Sequence, residues 1–148
     1  MLLNLICTQY NMPAQFDWNV RVYYEDTDAG GIVYYANYLK FFERARTEWL
    51  RHLNVNQHAL QQEHDVLFVV KSVTSEYHAP AKLDDVIKLT LSIQKLGRAS
   101  VAFQQQAWCG EQLLNSAQVT IACVDITMRL RAIPSAVAEK MRHYVISD

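Results

Sequence analysis

One amphipathic segment limits this chain more than any other. Tyr35, Tyr38, Phe42, Ala45, Trp49 and Leu53 recur at spacings of three and four. On a helix this makes one apolar stripe about five turns long. Glu43, Arg44, Glu48 and Arg51 fall on the opposite side. A helix is expected from about Tyr34, longer than the usual three to four turns. Its aromatic face needs a broad apolar surface to cover it, and the flanking sequence reads as a sheet.

From Phe16 onward, Val20, Val22 and Tyr24 alternate with Arg21, Tyr23 and Glu25, the period of two of a strand. A short helix or turn is expected over residues 56–63, then a second strand over residues 67–77. Pro80, which has no N–H for a ladder, closes that strand. Asp84 and Asp85 turn the chain into a third strand, where Ile87, Leu89, Leu91 and Ile93 oppose Lys88, Thr90, Ser92 and Gln94. Gly97 and Gly110 mark turns that delimit strands over residues 99–108 and about 113–125. Such short turns imply antiparallel pairing. After Pro134, the positions of Val137, Met141, Tyr144 and Val145 predict a terminal amphipathic helix. The sum is an α+β layer fold, an antiparallel sheet of about five strands around one long central helix. At 148 residues with 51% hydrophobic side chains, the chain suits a single domain over residues 16–148. Residues 1–15 show no period and are expected to form a loose arm, with Met12 a candidate second start.

Charge and cysteine usage narrow the function. Fourteen basic against fifteen acidic residues leave a net charge of -1, so neither nucleic acid nor an anionic membrane is an expected partner. Cys7, Cys109 and Cys123 are odd in number and lack metal-ligand spacing, as for reduced thiols in a cytoplasmic protein. The leading MLLNLIC is too short to span a bilayer and lacks the features of a secretory signal. His52, His58 and His64 lie six apart, which matches neither one helical face nor a zinc pattern, so no metal is expected. No serine occupies a nucleophile elbow, and no glycine-rich loop follows a strand as a phosphate cradle requires.

The chemistry concentrates in EDTDAGG, between the first strand and the long helix. Unpaired N–H groups at a helix start favour negative charge. Asp28 is therefore either a turn or capping residue or part of a site that also polarises a carbonyl. Gly30 and Gly31 leave room for a sharp turn or for a ligand against the backbone. Asp26 reads as structural, closing the turn. Glu43 reads as helix-face pairing with Arg46 and Thr47, or as a supporting residue of the site.

Three stretches also carry a family resemblance: VRVYYEDTDAGGIVYYANYLKFFERAR at residues 20–46, FVVKSVTSEYHAPAKLDD at residues 68–85, and RAIP at residues 131–134. They resemble the 4-hydroxybenzoyl-CoA thioesterase family of hotdog-fold proteins, nearest its YbgC group, the acyl-CoA thioesterases associated with the Tol-Pal system. The resemblance implies hydrolysis of an acyl-CoA to free acid and CoA, with CoA part of the substrate and no separate cofactor. It implies that Asp28 is the catalytic carboxylate, as nucleophile or as base for a water, and that a backbone N–H near Tyr35 holds the thioester oxygen. Tyr35 stands where many members of the group carry a histidine, and a phenol with a pKa near 10 is no base at neutral pH. Gly31, Val33, Tyr34 and Tyr38, with Phe68, Val69 and Val70 at a subunit interface, are implied as substrate contacts. Lys95 and Arg98, in the turn KLGRAS, are implied for the CoA phosphates, with a solvated hairpin turn as the plain alternative. A homodimer, doubling to a tetramer, is implied as the assembly. The alternative is a non-catalytic acyl or acyl-carrier-protein binding scaffold, linked to phospholipid synthesis or the Tol-Pal system. A hotdog hydratase would need a histidine between Asp26 and Tyr38, and none is there.

Overall fold

A computed structural model describes residues 14–146. Residues 1–13 of the expected arm, with Met12 and Cys7, lie outside the described residues. Ala14 is tied down, its N–H donating to the His143 carbonyl at 2.8 Å.

The elements follow in the order β1 (Phe16–Arg21), a 3-10 turn (Tyr24–Asp26), α1 (Asn37–His52), α2 (Gln57–His64), β2 (Leu67–Tyr77), β3 (Val86–Leu96), β4 (Ser100–Cys109), β5 (Gln112–Val124) and α3 (Ser135–Arg142). All strands belong to one antiparallel sheet in the order β1-β3-β4-β5-β2. Sequence neighbours β1 and β2 thus form its two edges, and the chain between them carries α1 across the sheet. Register follows the alternation, since Ile87, Leu89, Leu91 and Ile93 are all fully buried.

α1 buries Tyr38, Phe41, Phe42, Ala45, Trp49 and Leu50. Trp49 meets Phe103 and Tyr144 edge-on, with centroids 5.3 and 5.4 Å apart. Each large side chain so buried contributes roughly 1.5–3 kcal/mol. The stripe differs from the expected one at both ends. Tyr35 is 61% exposed and precedes the helix, while Leu53 is its half-buried C-cap. Phe41 and Leu50 complete the buried face in their place.

Two other boundaries move for local reasons. β1 ends at Arg21 rather than near Glu25, because the Asp26 carboxylate accepts the Tyr23 N–H at 2.8 Å and draws the chain into the 3-10 turn. Val22 remains buried, exchanging hydrogen bonds with Asp84 and Asp85. α3 stops at Arg142, and Tyr144 and Ile146 instead bond to Ile93 at the end of β3. α2 is fixed by its caps: the Asn56 side chain accepts the Ala59 N–H at 3.0 Å, and Asp65 leaves the helix in the left-handed region.

Candidate active site

The EDTDAGG segment forms a two-stranded stem closed by a tight turn. Thr27 bridges Val33, and Ile32 bridges Lys82 in the segment between β2 and β3. Inside the turn the Asp28 N–H donates to the Ile32 carbonyl at 2.9 Å and the Gly31 N–H to the Asp28 carbonyl at 3.0 Å. Gly31 sits at φ +78, where a side chain would strain the backbone. Asp28 is exposed. Its Oδ1 accepts the Gly30 N–H at 2.8 Å, and its Oδ2 has no partner among the described residues. One oxygen anchors the carboxylate while the other stays open to a water or a substrate carbon.

Asp26 behaves differently. It is buried, and its two oxygens take the Tyr23 N–H at 2.8 Å and Asn37 Nδ2 at 2.6 Å. Its carbonyl accepts the Tyr34 N–H at 2.9 Å. These bonds occupy Tyr34 outside the helix, so α1 begins at Asn37 rather than at Tyr34. They also bring residues 34–36 back beside the Asp28 stem. The amides of Tyr35 and Ala36 donate to no acceptor among the described residues. They lie at the start of α1, where the helix dipole adds positive potential. A carboxylate with a free oxygen and a pair of unfilled N–H donors therefore flank the short link from the Asp28 turn into α1.

Around this centre the aromatic residues divide. Tyr34 and Tyr35 are exposed, with rings 4.8 Å apart. A side-chain hydrogen bond given to Tyr35, and the charge of that neighbour, push the Tyr34 phenol above its ordinary pKa. Tyr38 is buried, and burial raises its pKa, with a backbone hydrogen bond at Ala81 opposing. It is a neutral wall rather than a base. Val33, expected to touch substrate, is 5% exposed and belongs to the core.

A groove leads away from this end of α1. It runs between α1 and β2, past Leu39, Phe42, Val73 and Val119. It shares Glu43, Arg46 and Val70 with a cavity of about 130 Å³ that reaches Phe68, Trp49 and Met141. Phe68 thus lines the inner cavity and Val70 both spaces, which adjoin at Glu43 and Arg46. Val69 lines neither, since strand alternation turns it to the other face of the sheet. Glu43 lines both and accepts from Thr47 Oγ1 at 2.7 Å. The expected pairing of Glu43 with Arg46 is not an ion pair. Arg46 Nη1 instead donates to Gln105 Oε1 at 2.9 Å, and Gln105 Nε2 to the Phe42 carbonyl at 3.1 Å. Burial lowers the Arg46 pKa, which the nearby Glu43 charge partly offsets.

The structure separates Lys95 and Arg98 from Asp28. The stem adjoins Lys82 and the Val86 end of β3, whereas Lys95 is at the other end, about 30 Å along the strand at 3.4 Å per residue. Both are exposed. Tyr77, Asn37 and the Arg46–Gln105 pair were not anticipated from the sequence. Gln105 had a readable signal, as the one polar residue in the inward series Val101, Phe103, Gln105, Ala107.

A single antiparallel sheet curled on one long helix, with an acidic glycine turn leading into that helix, is the hotdog architecture. The chain belongs to the thioesterase superfamily, whose family model matches residues 30–116. It is 48% identical over 129 residues to the acyl-CoA thioester hydrolase YbgC of Escherichia coli O6:H1, covering 86% of this chain and 96% of that protein. It is 45% identical over 129 residues to the acyl-CoA thioesterase YbgC of Haemophilus influenzae, covering 86% of this chain and 95% of that one. Among solved structures, a probable thioesterase from Bartonella henselae superposes with a TM-score of 0.78 at 35% identity, covering 82% of this chain and 100% of that chain.

Proposed function

We propose that this protein is an acyl-CoA thioesterase, hydrolysing the thioester to a free acid and CoA. The observation that carries this reading is the free Asp28 oxygen on the turn that leads into the unfilled amides of Tyr35 and Ala36. The thioester carbonyl oxygen lies against those amides, where charge developing during attack meets fixed donors and the positive end of α1. A donor so placed lowers the barrier by roughly 3 kcal/mol. Asp28 either takes a proton from a water that adds to the carbonyl carbon, or adds to that carbon itself and forms an anhydride that water then opens. In both routes the C–S bond breaks and CoA leaves as thiolate, a leaving group that needs no strong general acid. Neither route needs a metal or a separate cofactor. Label recovered in the Asp28 carboxylate after turnover in H₂¹⁸O establishes the anhydride route opened at the Asp28 carbon, since the general-base route puts none there.

The acyl group follows the groove between α1 and β2, past Tyr38 and Leu39 toward Phe68 and Val70. The outer edge of β2 has no strand partner among the described residues, yet Val70, Val73 and Tyr77 are exposed along it. An edge strand of eleven residues with no partner is a pairing surface, even with Lys71 and Glu76 among its exposed residues, and the proposed occupant is β2 of a second copy, in a homodimer that doubles to a tetramer. Lys95 and Arg98 then serve the CoA phosphates only from another subunit. The protein is assigned to the cytoplasm, in keeping with its thiols; among the described residues no helix is long and apolar enough to cross a membrane. Thiol release from acyl-CoAs by the wild type and by Asp28→Asn tests the function, and sedimentation tests the assembly.

A further inference from the structure

We infer that Tyr77 is a positioning residue for the oxyanion donor, acting through the peptide that joins Tyr35 to Ala36. The inference rests on the reading of the start of α1 as the thioester oxygen site and adds the side chain that aims it.

Tyr77 is the last residue of β2. Its register partner is Asn115 in β5, and its ring packs edge-on against Tyr35 at 6.2 Å and Tyr38 at 5.8 Å. Its hydroxyl donates to the Tyr35 carbonyl at 2.9 Å. Neighbouring peptides of the link are held by the backbone: the Tyr34 N–H by the Asp26 carbonyl, the Tyr34 carbonyl by the Asn37 N–H, and the Ala36 carbonyl by the Leu39 N–H. The Tyr35–Ala36 peptide has none of these. Among the described residues, the bond from Tyr77 is its one intramolecular hydrogen bond, and the N-cap, Ala36, has no side-chain cap.

A trans peptide is planar, with its carbonyl and N–H pointing in opposite directions. Fixing the Tyr35 carbonyl therefore fixes the direction of the Ala36 N–H. Donation to that carbonyl also polarises the same peptide, and hydrogen bonds in series strengthen one another. The Ala36 N–H is thus aimed and made a better donor by a hydroxyl on the edge strand. Tyr77 is half exposed, so a phenylalanine would keep its ring contacts. The hydroxyl is the part with a specific purpose.

The test compares wild type, Tyr77→Phe, 3-fluorotyrosine at position 77, and Asp28→Asn, with kcat and KM measured separately on one acyl-CoA. Tyr77→Phe is expected to lower kcat about tenfold, less than the 10²–10³ lost when an oxyanion donor is removed outright, with KM within about twofold. The fluorinated residue, a stronger donor of nearly the same size, is expected to hold kcat at or above the wild-type value at neutral pH. It is also expected to lose activity at a lower alkaline pH than wild type, as its more acidic phenol gives up the donated proton. An unchanged kcat in Tyr77→Phe overturns the inference, as does a rise in KM alone. So does an alkaline limb that fluorination does not move, a result that stands even if Tyr77→Phe folds poorly. The two readings fail separately: wild-type turnover in Asp28→Asn with loss in Tyr77→Phe removes Asp28 from the mechanism and leaves Tyr77 in place, and the reverse pattern removes Tyr77 alone.

Discussion

Asp26 Oδ1 accepts Asn37 Nδ2 across 2.6 Å, and both side chains are buried. This bond ties the exit of β1 to the first residue of α1, with the Asp28 turn looped out between them. Replacing Asp26 with alanine leaves Asn37 Nδ2 and the Tyr23 N–H without their partner. A buried group left unsatisfied costs about 1–3 kcal/mol, so Asp26→Ala is expected to lose about 3 kcal/mol in urea unfolding. Turnover by the folded fraction is expected to remain measurable, which distinguishes this frame residue from Asp28.

Val70 lies where the outer groove and the inner cavity meet, and it is 52% exposed. A larger side chain there is tolerated by the fold and blocks the path. Val70→Trp is expected to reduce kcat/KM for long-chain acyl-CoAs at least about tenfold, with short-chain acyl-CoAs within about threefold. That discrimination corresponds to the few kcal/mol that a pocket wall commands over an apolar chain. Equal losses at every chain length would place the acyl group elsewhere.

Along the free edge of β2, Val73 is exposed. A charge at such an edge disfavours strand addition. Val73→Lys is expected to shift the sedimenting species from dimer or larger toward monomer at micromolar concentration, and to lower activity with it. A wild type that sediments as a monomer at the same concentration contradicts the proposed pairing.

The loop after β5 is built on Asp125. Its Oδ1 accepts the Thr127 hydroxyl at 2.7 Å and the amides of Thr127 and Arg129 at 2.9 and 3.0 Å. These hydrogen bonds, led by the Thr127 hydroxyl, hold the carboxyl below its ordinary pKa. A depressed folded-state pKa gives stability that is complete above the unfolded value of about 3.9 and lost as pH falls through the lower folded value. The Tm gap between wild type and Asp125→Asn is therefore expected to be present at pH 7 and to close in the acid range below pH 4.

Much of this was legible from local pattern. The strands announce themselves where one face is buried, as with Ile87, Leu89, Leu91 and Ile93, because the period of two survives wherever a core must be covered. The start of α1 was not legible. Tyr34 and Tyr35 continue the aromatic run, and what engages them outside the helix is a backbone bond to Asp26, eight residues earlier, and a bond from Tyr77, 42 residues later. Sheet order was equally hidden, since the pairing of β1 with β3 and of β2 with β5 depends on long-range closure that no short window contains. The displacement of Val69 to the outer face was readable, because Phe68 and Val70 on either side of it claim the inner one. The Asp28 turn was found through its glycines and its acid, but its donors are backbone amides, which leave no mark in side-chain sequence.

The most direct test of the account is steady-state thiol release from short, long and aromatic acyl-CoAs by the wild type and Asp28→Asn. The substitution keeps the shape of the turn and removes the charge and basicity of the open oxygen. Turnover is expected for the wild type, with a loss of at least about a hundredfold in kcat for the variant, in the range of acid–base catalysis, and with Tm little changed. A folded Asp28→Asn protein that releases thiol at the wild-type rate, or a folded wild type that releases none from any of these substrates, would contradict it.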